Sequence, residues 1–406
     1  MFGVTAPLAE PLPGADPPGH GAAAVATPLA PSLALPPVGA ALLAAAMALP
    51  LSFCLPGKAQ AESPPERGLV SLKVLDYLDS QPGANRIRVR APSVLVVAPI
   101  NGDWSTSGTF VSDTISGASP AHHTSDLKQL TDLRRAGEAD LTRYFTDGSL
   151  TLGVNYSTES DYVSRGASVR GTWSTADRNT TWSAGAGYNR DAISPGNRIV
   201  VNESKQVTQL LFGVTQVLGS HDIAQLNLGW TRGRGYYTDP YKFFDKRPRE
   251  RDIGTVLARW NHHIEPLDGT LRTSWRYYQD NWDVRSHTVG VEYVQELPQG
   301  WTVTPLLRLY TQSAARFYNN AEPSTDPFSA NPATQGKHYS GDQRLSGFGA
   351  RTLGLKVAKQ LNADWAADVK FEHYEQRGSW RVLGSGTPRL ATFNFRSLQV
   401  GLSSAF

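Results

Sequence analysis

The chain has 406 residues, of which 18% are charged, and a formal net charge of only +3, so no polybasic nucleic-acid face is implied. With 37 glycines, 27 prolines and 10% aromatic residues, it suits two ordinary domains or one large, turn-rich β structure.

The first sixty residues differ from the rest. Residues 36–54 form an apolar stretch rich in Ala and Leu, followed by GKAQAES. Ala59 and Ala61 make an A-x-A cleavage pattern, so 1–61 is expected to be a leader or signal peptide and Glu62 the first mature residue. The leader is long, and no Lys or Arg precedes Lys58, which points to a mis-assigned start codon. Cys54, the single cysteine, falls inside it, so cleavage leaves no thiol. Beyond residue 62 no apolar run reaches eighteen residues. That excludes a transmembrane helix but not a barrel, whose strands alternate.

Alternation is clean along the rest of the chain. In LTLGVNYS, Leu150, Leu152, Val154 and Tyr156 alternate with Thr151, Gly153, Asn155 and Ser157. WSAGAGYN (182–189), AQLNLGWT (224–231) and WAADVKFE (365–372) repeat the pattern, each with one apolar and one wet face. About sixteen such segments are expected, beginning near 69, 86, 104, 137, 149, 164, 178, 205, 222, 251, 270, 286, 301, 345, 365 and 393. The stretch 124–140 has some helical character and is expected in a loop.

The connections carry an asymmetry. Even-to-odd links such as TDG (146–148), PLDG (266–269) and PQG (298–300) are short and hold turn residues. Odd-to-even links are mostly long, as at 112–136, 190–204, 233–250, 317–343 and 377–392, with two short ones near 80–85 and 280–285. Trp104, Tyr144, Trp182, Trp230, Trp260, Trp301, Tyr310 and Trp365 lie near proposed strand ends, as interfacial girdles do. A soluble β sandwich would also alternate, but segments of ten to fourteen residues exceed its usual strands and meet the membrane requirement. The fold expected for 62–406 is therefore all-β: a single antiparallel up-and-down transmembrane β-barrel of about 16 strands in the Gram-negative outer membrane. Its short turns are expected to be periplasmic and its long loops extracellular.

The ending LQVGLSSAF resembles the C-terminal assembly signal of outer-membrane barrels at Gln399, Gly401 and Phe406, which implies the barrel assembly machinery as a biogenesis partner. Ser404 departs from that pattern, where a bulky residue is usual. The whole of 66–406 resembles a proteobacterial family of predicted outer-membrane β-barrels of unknown function. The stretches that carry the resemblance are ERGLVSLKVLDYLDSQPGANRIRV (66–89), YSTESDYVSRG (156–166), GRGYYTDPYK (233–242), RPRER (247–251), RWNHH (259–263) and YSGDQRLSGFGARTLGLKV (339–357). The resemblance implies a fold and a location but no activity.

Candidate chemistry concentrates in 231–252. Arg232, Arg234, Arg247, Arg249 and Arg251 either line a pore mouth that meets anionic solutes or pin an extracellular loop through carboxylate pairs. Asp368, Lys370 and Glu372 share one strand face, and with Arg308, Arg259, Arg272 and Lys356 are expected to line an aqueous lumen. Glu159, Asp161 and Ser164 have no fixed ligand spacing for calcium. His262 and His263 point to opposite strand faces, and His122-His123 has no cysteine or further histidine nearby, so no metal or cofactor is expected. No nucleophile elbow, phosphate loop or zinc-protease motif occurs, and no enzyme is expected. The leading function is a porin-like channel for small polar or anionic solutes. The alternative is a plugged barrel acting as a scaffold or receptor, with an outer-membrane hydrolase third. Partners expected are outer-membrane lipid, with a homo-oligomer left open, and no nucleic acid.

Overall fold

A computed structural model describes residues 63–117, 130–242, 245–319 and 337–406. The expected leader 1–61 with Ala59 and Ala61, Cys54, His122-His123 and Phe243-Phe244 lie outside the described residues.

Sixteen antiparallel strands close into one barrel in which each strand pairs with its sequence neighbours and the last with the first. They are β1 (Leu69–Gln81), β2 (Ala84–Asn101), β3 (Trp104–Gly117), β4 (Leu130–Phe145), β5 (Gly148–Thr158), β6 (Tyr162–Ser174), β7 (Thr180–Ile193) and β8 (Glu203–Val217). The second half is β9 (Asp222–Gly235), β10 (Glu250–Ile264), β11 (Gly269–Asp280), β12 (Arg285–Leu297), β13 (Trp301–Gln312), β14 (Phe348–Gln360), β15 (Trp365–Arg377) and β16 (Phe393–Ala405). The even-to-odd links form the short rim. The opposite rim carries the longer connections, with short ones after β1 and β11 and a third after β5.

One expectation fails here. Residues 130–136 are strand, not loop, because β4 finds ladder partners on both sides, Leu133 opposite Thr114 and Arg135 opposite Thr158. Its leucines and charges mimic helical spacing. The barrel resolves them by period two, with Arg134, Glu138 and Asp140 on the inner face and Leu133 and Leu141 outside. Neighbouring strands override the local preference.

Period two places apolar residues on the outer wall throughout. Leu72, Val74, Leu152, Val154, Leu210, Phe212, Leu353, Leu355, Val369, Phe371, Leu398 and Val400 are all exposed there. A continuous apolar belt of this extent has no place in water; it marks a surface solvated by lipid. Toward the short rim the belt ends in Trp173, Trp260, Trp301 and Trp365, with Arg143 over the rings of Trp104 and Phe145 and Lys359 over Trp301. Tyr144 and Tyr310 do not join the girdle. Both face inward, Tyr144 hydrogen-bonded to Ser105 and Tyr310 packed on Phe348.

The seam between first and last strands runs the full length of β1. Beyond it, Gly68 and Phe406 exchange backbone hydrogen bonds at 2.8 and 2.9 Å, and any Cβ on Gly68 would run into the Phe406 ring. Arg67 ties the same corner to Asp364 at 2.6 Å. Gly148, which opens β5, is equally constrained: a Cβ there would collide with the backbone of Thr172 and Trp173 on β6. We expect Gly148→Ala to lower barrel stability by about 1–3 kcal/mol, the usual cost of overpacking. The urea midpoint of the folded-to-unfolded gel shift in detergent measures it, and an unchanged midpoint would refute the collision.

Candidate functional site

The inner wall is polar and charged over most of its circumference. On β15, buried Asp368, Lys370 and Glu372 alternate with exposed Val369 and Phe371. Lys370 Nζ lies 3.1 Å from Glu372 Oε1, and Arg308 of β13 approaches the same carboxylate at 3.9 Å. Lys356 of β14 faces Lys370 in register, and Lys73 of β1 faces inward beside Gly401.

The signs are not evenly distributed. Arg259 on β10, Arg272 and Arg276 on β11 and Arg308 on β13 take inward register positions, with Glu292 of β12 among them. This makes a basic arc over four consecutive strands. Eight strands from β12 in the ring of sixteen lies β4, whose inner face carries Glu138 and Asp140. The depths match: Asp140 stands five residues from the short-rim end of β4 at Phe145, and Arg259 five from the end of β10 at Ile264. The basic arc therefore lies opposite the Glu138 and Asp140 carboxylates, which have Arg170 of β6 as their nearby cation on the same side. The sequence hides the acidic side, because Glu138 and Asp140 lie in the stretch 124–140 whose spacing imitates a helix.

Nearer the long-loop rim the inner face changes character. Leu75, Tyr77, Ile87, Val89, Phe393 and Phe395 are buried together, with Tyr374 stacked on Phe395 at 4.7 Å and Phe348 joining from the end of β14. Outside, at the same end of β1, Asp76 pairs with Arg88 and Arg90. The wet and dry faces have exchanged, because here the inside packs against loops and the outside lies above the lipid belt.

The mouth is crossed by the described end of the β13–β14 connection, 337–347. Gln343 accepts from Gln81 at the tip of β1 at 2.9 Å, and Gln312 donates to the carbonyls of Arg344 and Ser346 at 2.9 and 2.6 Å. The segment also reaches the loop after β9, eight strands from β1, where Lys246 and Tyr339 exchange backbone hydrogen bonds. At its centre the buried Asp342 carboxylate holds three cations: Lys242 at 2.9 Å, Arg247 at 2.9 Å and Arg344. Asp245 accepts from Arg247 Nε at 2.8 Å and from the Ser340 hydroxyl, and Asp239 lies 3.9 Å from Arg344. Burial alone would raise the Asp342 carboxyl; Arg344, Lys242 and Arg247 outweigh it and hold it well below the usual carboxylate range. Burial raises Asp239 instead.

The five arginines singled out in the sequence take different places. Arg232 and Arg234 share the parity of Leu226, Leu228 and Trp230 and stand on the outer face, opposite Asp252 and Glu250. Exposed Arg249 pairs with Glu203. These three do not line the mouth; strand parity turns the first two outward. Arg247 is locked in the Asp342 cluster. Arg251 is buried against Asp280 at 2.7 Å, with its guanidinium 4.3 Å from the centre of the Trp282 ring. Gln399 and Gly401 face inward, while Phe406 is exposed at the short rim.

The remaining candidates do not converge. Ser164 faces Asn189 inside the wall, and Asp161 accepts from the Tyr241 hydroxyl at 3.1 Å. His262 turns to Asp222 at 2.9 Å and His263 to Asp268 at 3.9 Å. Among the described residues, no group of three or more His, Cys, Asp or Glu is placed to hold a metal ion.

A family model described as a protein of unknown function (DUF3570) matches residues 124–397. No curated protein matches. Among solved structures, the chain is similar to the siderophore receptor PirA from Pseudomonas aeruginosa at 9% identity and a TM-score of 0.44, covering 85% of this chain and 81% of that one. It is similar to a bacterial polysaccharide outer membrane secretin at 10% identity and a TM-score of 0.48, covering 83% and 98%. A third likeness is to OccK2 of Pseudomonas aeruginosa in complex with glucuronate, at 10% identity and a TM-score of 0.44, covering 84% and 98%.

Proposed function

This chain belongs to the DUF3570 family, whose function is unknown, and on that premise we propose that it is a loop-gated channel of the Gram-negative outer membrane for small anionic solutes. The location is supported by the apolar outer belt and its aromatic edge, which need lipid around them. The observation that carries the channel reading is the basic arc of Arg259, Arg272, Arg276 and Arg308 facing Glu138 and Asp140 across the lumen.

Opposed walls of fixed charge set up a field across the pore rather than along it. A permeating carboxylate or phosphate slides along the arginines while its cationic or polar end turns to β4. The arginine guanidinium suits this role, because its planar donors match both oxyanions. In lipid the same side chains would each cost about 2–4 kcal/mol at the midplane, so their inward placement is also what the membrane requires.

A second reading, a plugged barrel serving as a receptor or scaffold, is favoured by one observation: the buried segment through Asp342 and Arg344 bridges opposite sides of the mouth. Planar-bilayer recording separates the two. We expect small discrete conductance steps with a reversal potential on the anion side, shifting toward cations in Arg276→Glu/Arg308→Glu. A folded barrel that stays silent in every variant sinks the channel reading and leaves the receptor.

A further inference from the structure

On the outer wall of β5–β9 one row of side chains stands in register: Tyr156, Arg165, Arg190, Gln206 and Arg234. Arg165 of β6 is directly opposite Arg190 of β7. Side chains so placed have Cβ atoms about 5 Å apart, and like charges there repel. Four other arginines of the upper outer wall have acid partners, Arg234 with Glu250, Arg88 with Asp76, and Arg351 and Arg377 with Glu375. Exposed Arg135, Arg285 and Arg396 have none among the described residues, but each stands opposite an uncharged residue or His373 rather than another arginine. Arg165 has the Tyr156 ring, 5.8 Å from its guanidinium carbon, and among the described residues no acid pairs with it or with the exposed Arg190.

The depth of the pair says what neutralises it. Tyr188 lies one row below on β7, beside Val154 two strands away, and the next row is Leu152, Val169 and Leu210, all exposed. Arg165 and Arg190 thus stand at the upper edge of the apolar belt, flanked by two exposed tyrosines, where an aromatic ring sits at headgroup level. A free solute anion has no reason to select this spot over open water. An anion attached to an acyl chain does, because the chain lies along the belt while the phosphate meets the guanidinium pair.

Resting on the outer-membrane reading above, we infer that Arg165 and Arg190, with Tyr156 and Tyr188 beside them, bind the phosphate of a glycolipid headgroup in the outer leaflet. Two charge-assisted guanidinium contacts to one phosphate replace the repulsion in the bare pair with attraction to a shared anion. The site would fix the rotational position of the barrel wall against one lipid and lies on the side of the barrel away from the β1–β16 seam.

The test uses the full chain folded in detergent micelles doped with lipid A or with its dephosphorylated form, and native mass spectrometry of the bound lipid. Wild type is expected to retain lipid A and lose the dephosphorylated form. Arg165→Gln/Arg190→Gln is expected to bind about 30-fold more weakly, since each surface cation contributes roughly a factor of five. Arg232→Gln, which alters an acid-matched neighbour, is expected to keep wild-type binding, and Arg165→Lys/Arg190→Lys to keep most of it. Equal binding by the double Gln variant, equal binding of the dephosphorylated lipid, or displacement by inorganic phosphate at the same concentration each overturns the headgroup site. A heat-modifiable gel shift is recorded for every variant. A wild-type chain that shows none overturns the outer-membrane reading itself, and the site with it.

Discussion

Asp342→Ala is expected to open the mouth. The knot around this residue holds Lys242, Arg247 and Arg344 against Asp239, Asp245 and Asp342, three cations against three acids, all largely withdrawn from water. Balanced, such a cluster adds little to stability, because desolvation offsets most of the attraction. Unbalanced, it leaves a buried cation without its partner, which costs about 3–5 kcal/mol. The barrel wall does not depend on the knot, so the loss falls on the loops. The 337–347 segment should leave its bridge between Gln81 and Arg247. Single-channel conductance is expected to rise severalfold, and the loops after β9 and β13 to become sensitive to external protease, while the heat-modifiable gel shift stays. Unchanged conductance with protease-resistant loops would show that the knot does not hold the mouth.

The same carboxylate sets the acid response. Its folded-state value lies below its unfolded one, so its contribution is complete above the ordinary carboxylate range and disappears only as pH falls through the depressed value. Asp239 works in the opposite sense: burial raises it, so its ionised form weighs against the closed loop and mild acid relieves that burden. Both effects leave the mouth closed from neutral pH into mild acid. The loops after β9 and β13 are therefore expected to stay protease-resistant between about pH 5 and 8 and to become sensitive only in strong acid. Protease sensitivity already near pH 6 would mean that another group controls the loop.

What could be read from the sequence follows the reach of its signals. Period two is a local signal, and it placed strands such as β13 from Trp301 and β15 from Trp365, and the inner face of Asp368, Lys370 and Glu372. Arg232 and Arg234 share parity with Leu226 and Trp230, so their outward position was readable without a structure. β4 was partly lost because its leucines and charges imitate a helix until β3 and β5 are brought beside it. The mouth was out of reach for a different reason. Lys242 and Asp342 are one hundred residues apart in irregular segments, and no periodicity connects them. Strand order in an up-and-down barrel follows from connectivity, whereas the fold of a long loop depends on which other loops stand around it.

Trp282→Ala is expected to free the rim between β11 and β13 without disturbing the wall. The side chain is fully buried in a link of only four residues, 281–284. Its indole Nε1 donates to the Glu250 carbonyl at 2.8 Å, its ring meets Tyr237 and Phe317 edge-on at 5.4 and 5.2 Å, and the Arg251 guanidinium lies over it. Val284, Ala315 and Leu345 complete the cluster. One indole thus joins three connections, those after β9, β11 and β13. Truncating a buried Trp costs about 3–5 kcal/mol, partly as lost burial and partly as the cavity left behind. Arg251 keeps Asp280 and Tyr278 but loses the ring that covers it. The consequence differs from that of Asp342→Ala. There the ionic bridge fails and the mouth opens at its centre; here the apolar footing of the same segment fails at the side, where Ala315 and Phe317 rest. Hydrogen exchange should therefore rise in 281–284 and 313–319 while the backbone of β11 and β12 stays protected. Because the two sites act on one loop, the double variant should fall short of additive in conductance. Additive effects would show that the knot and the aromatic cluster hold separate parts of the mouth.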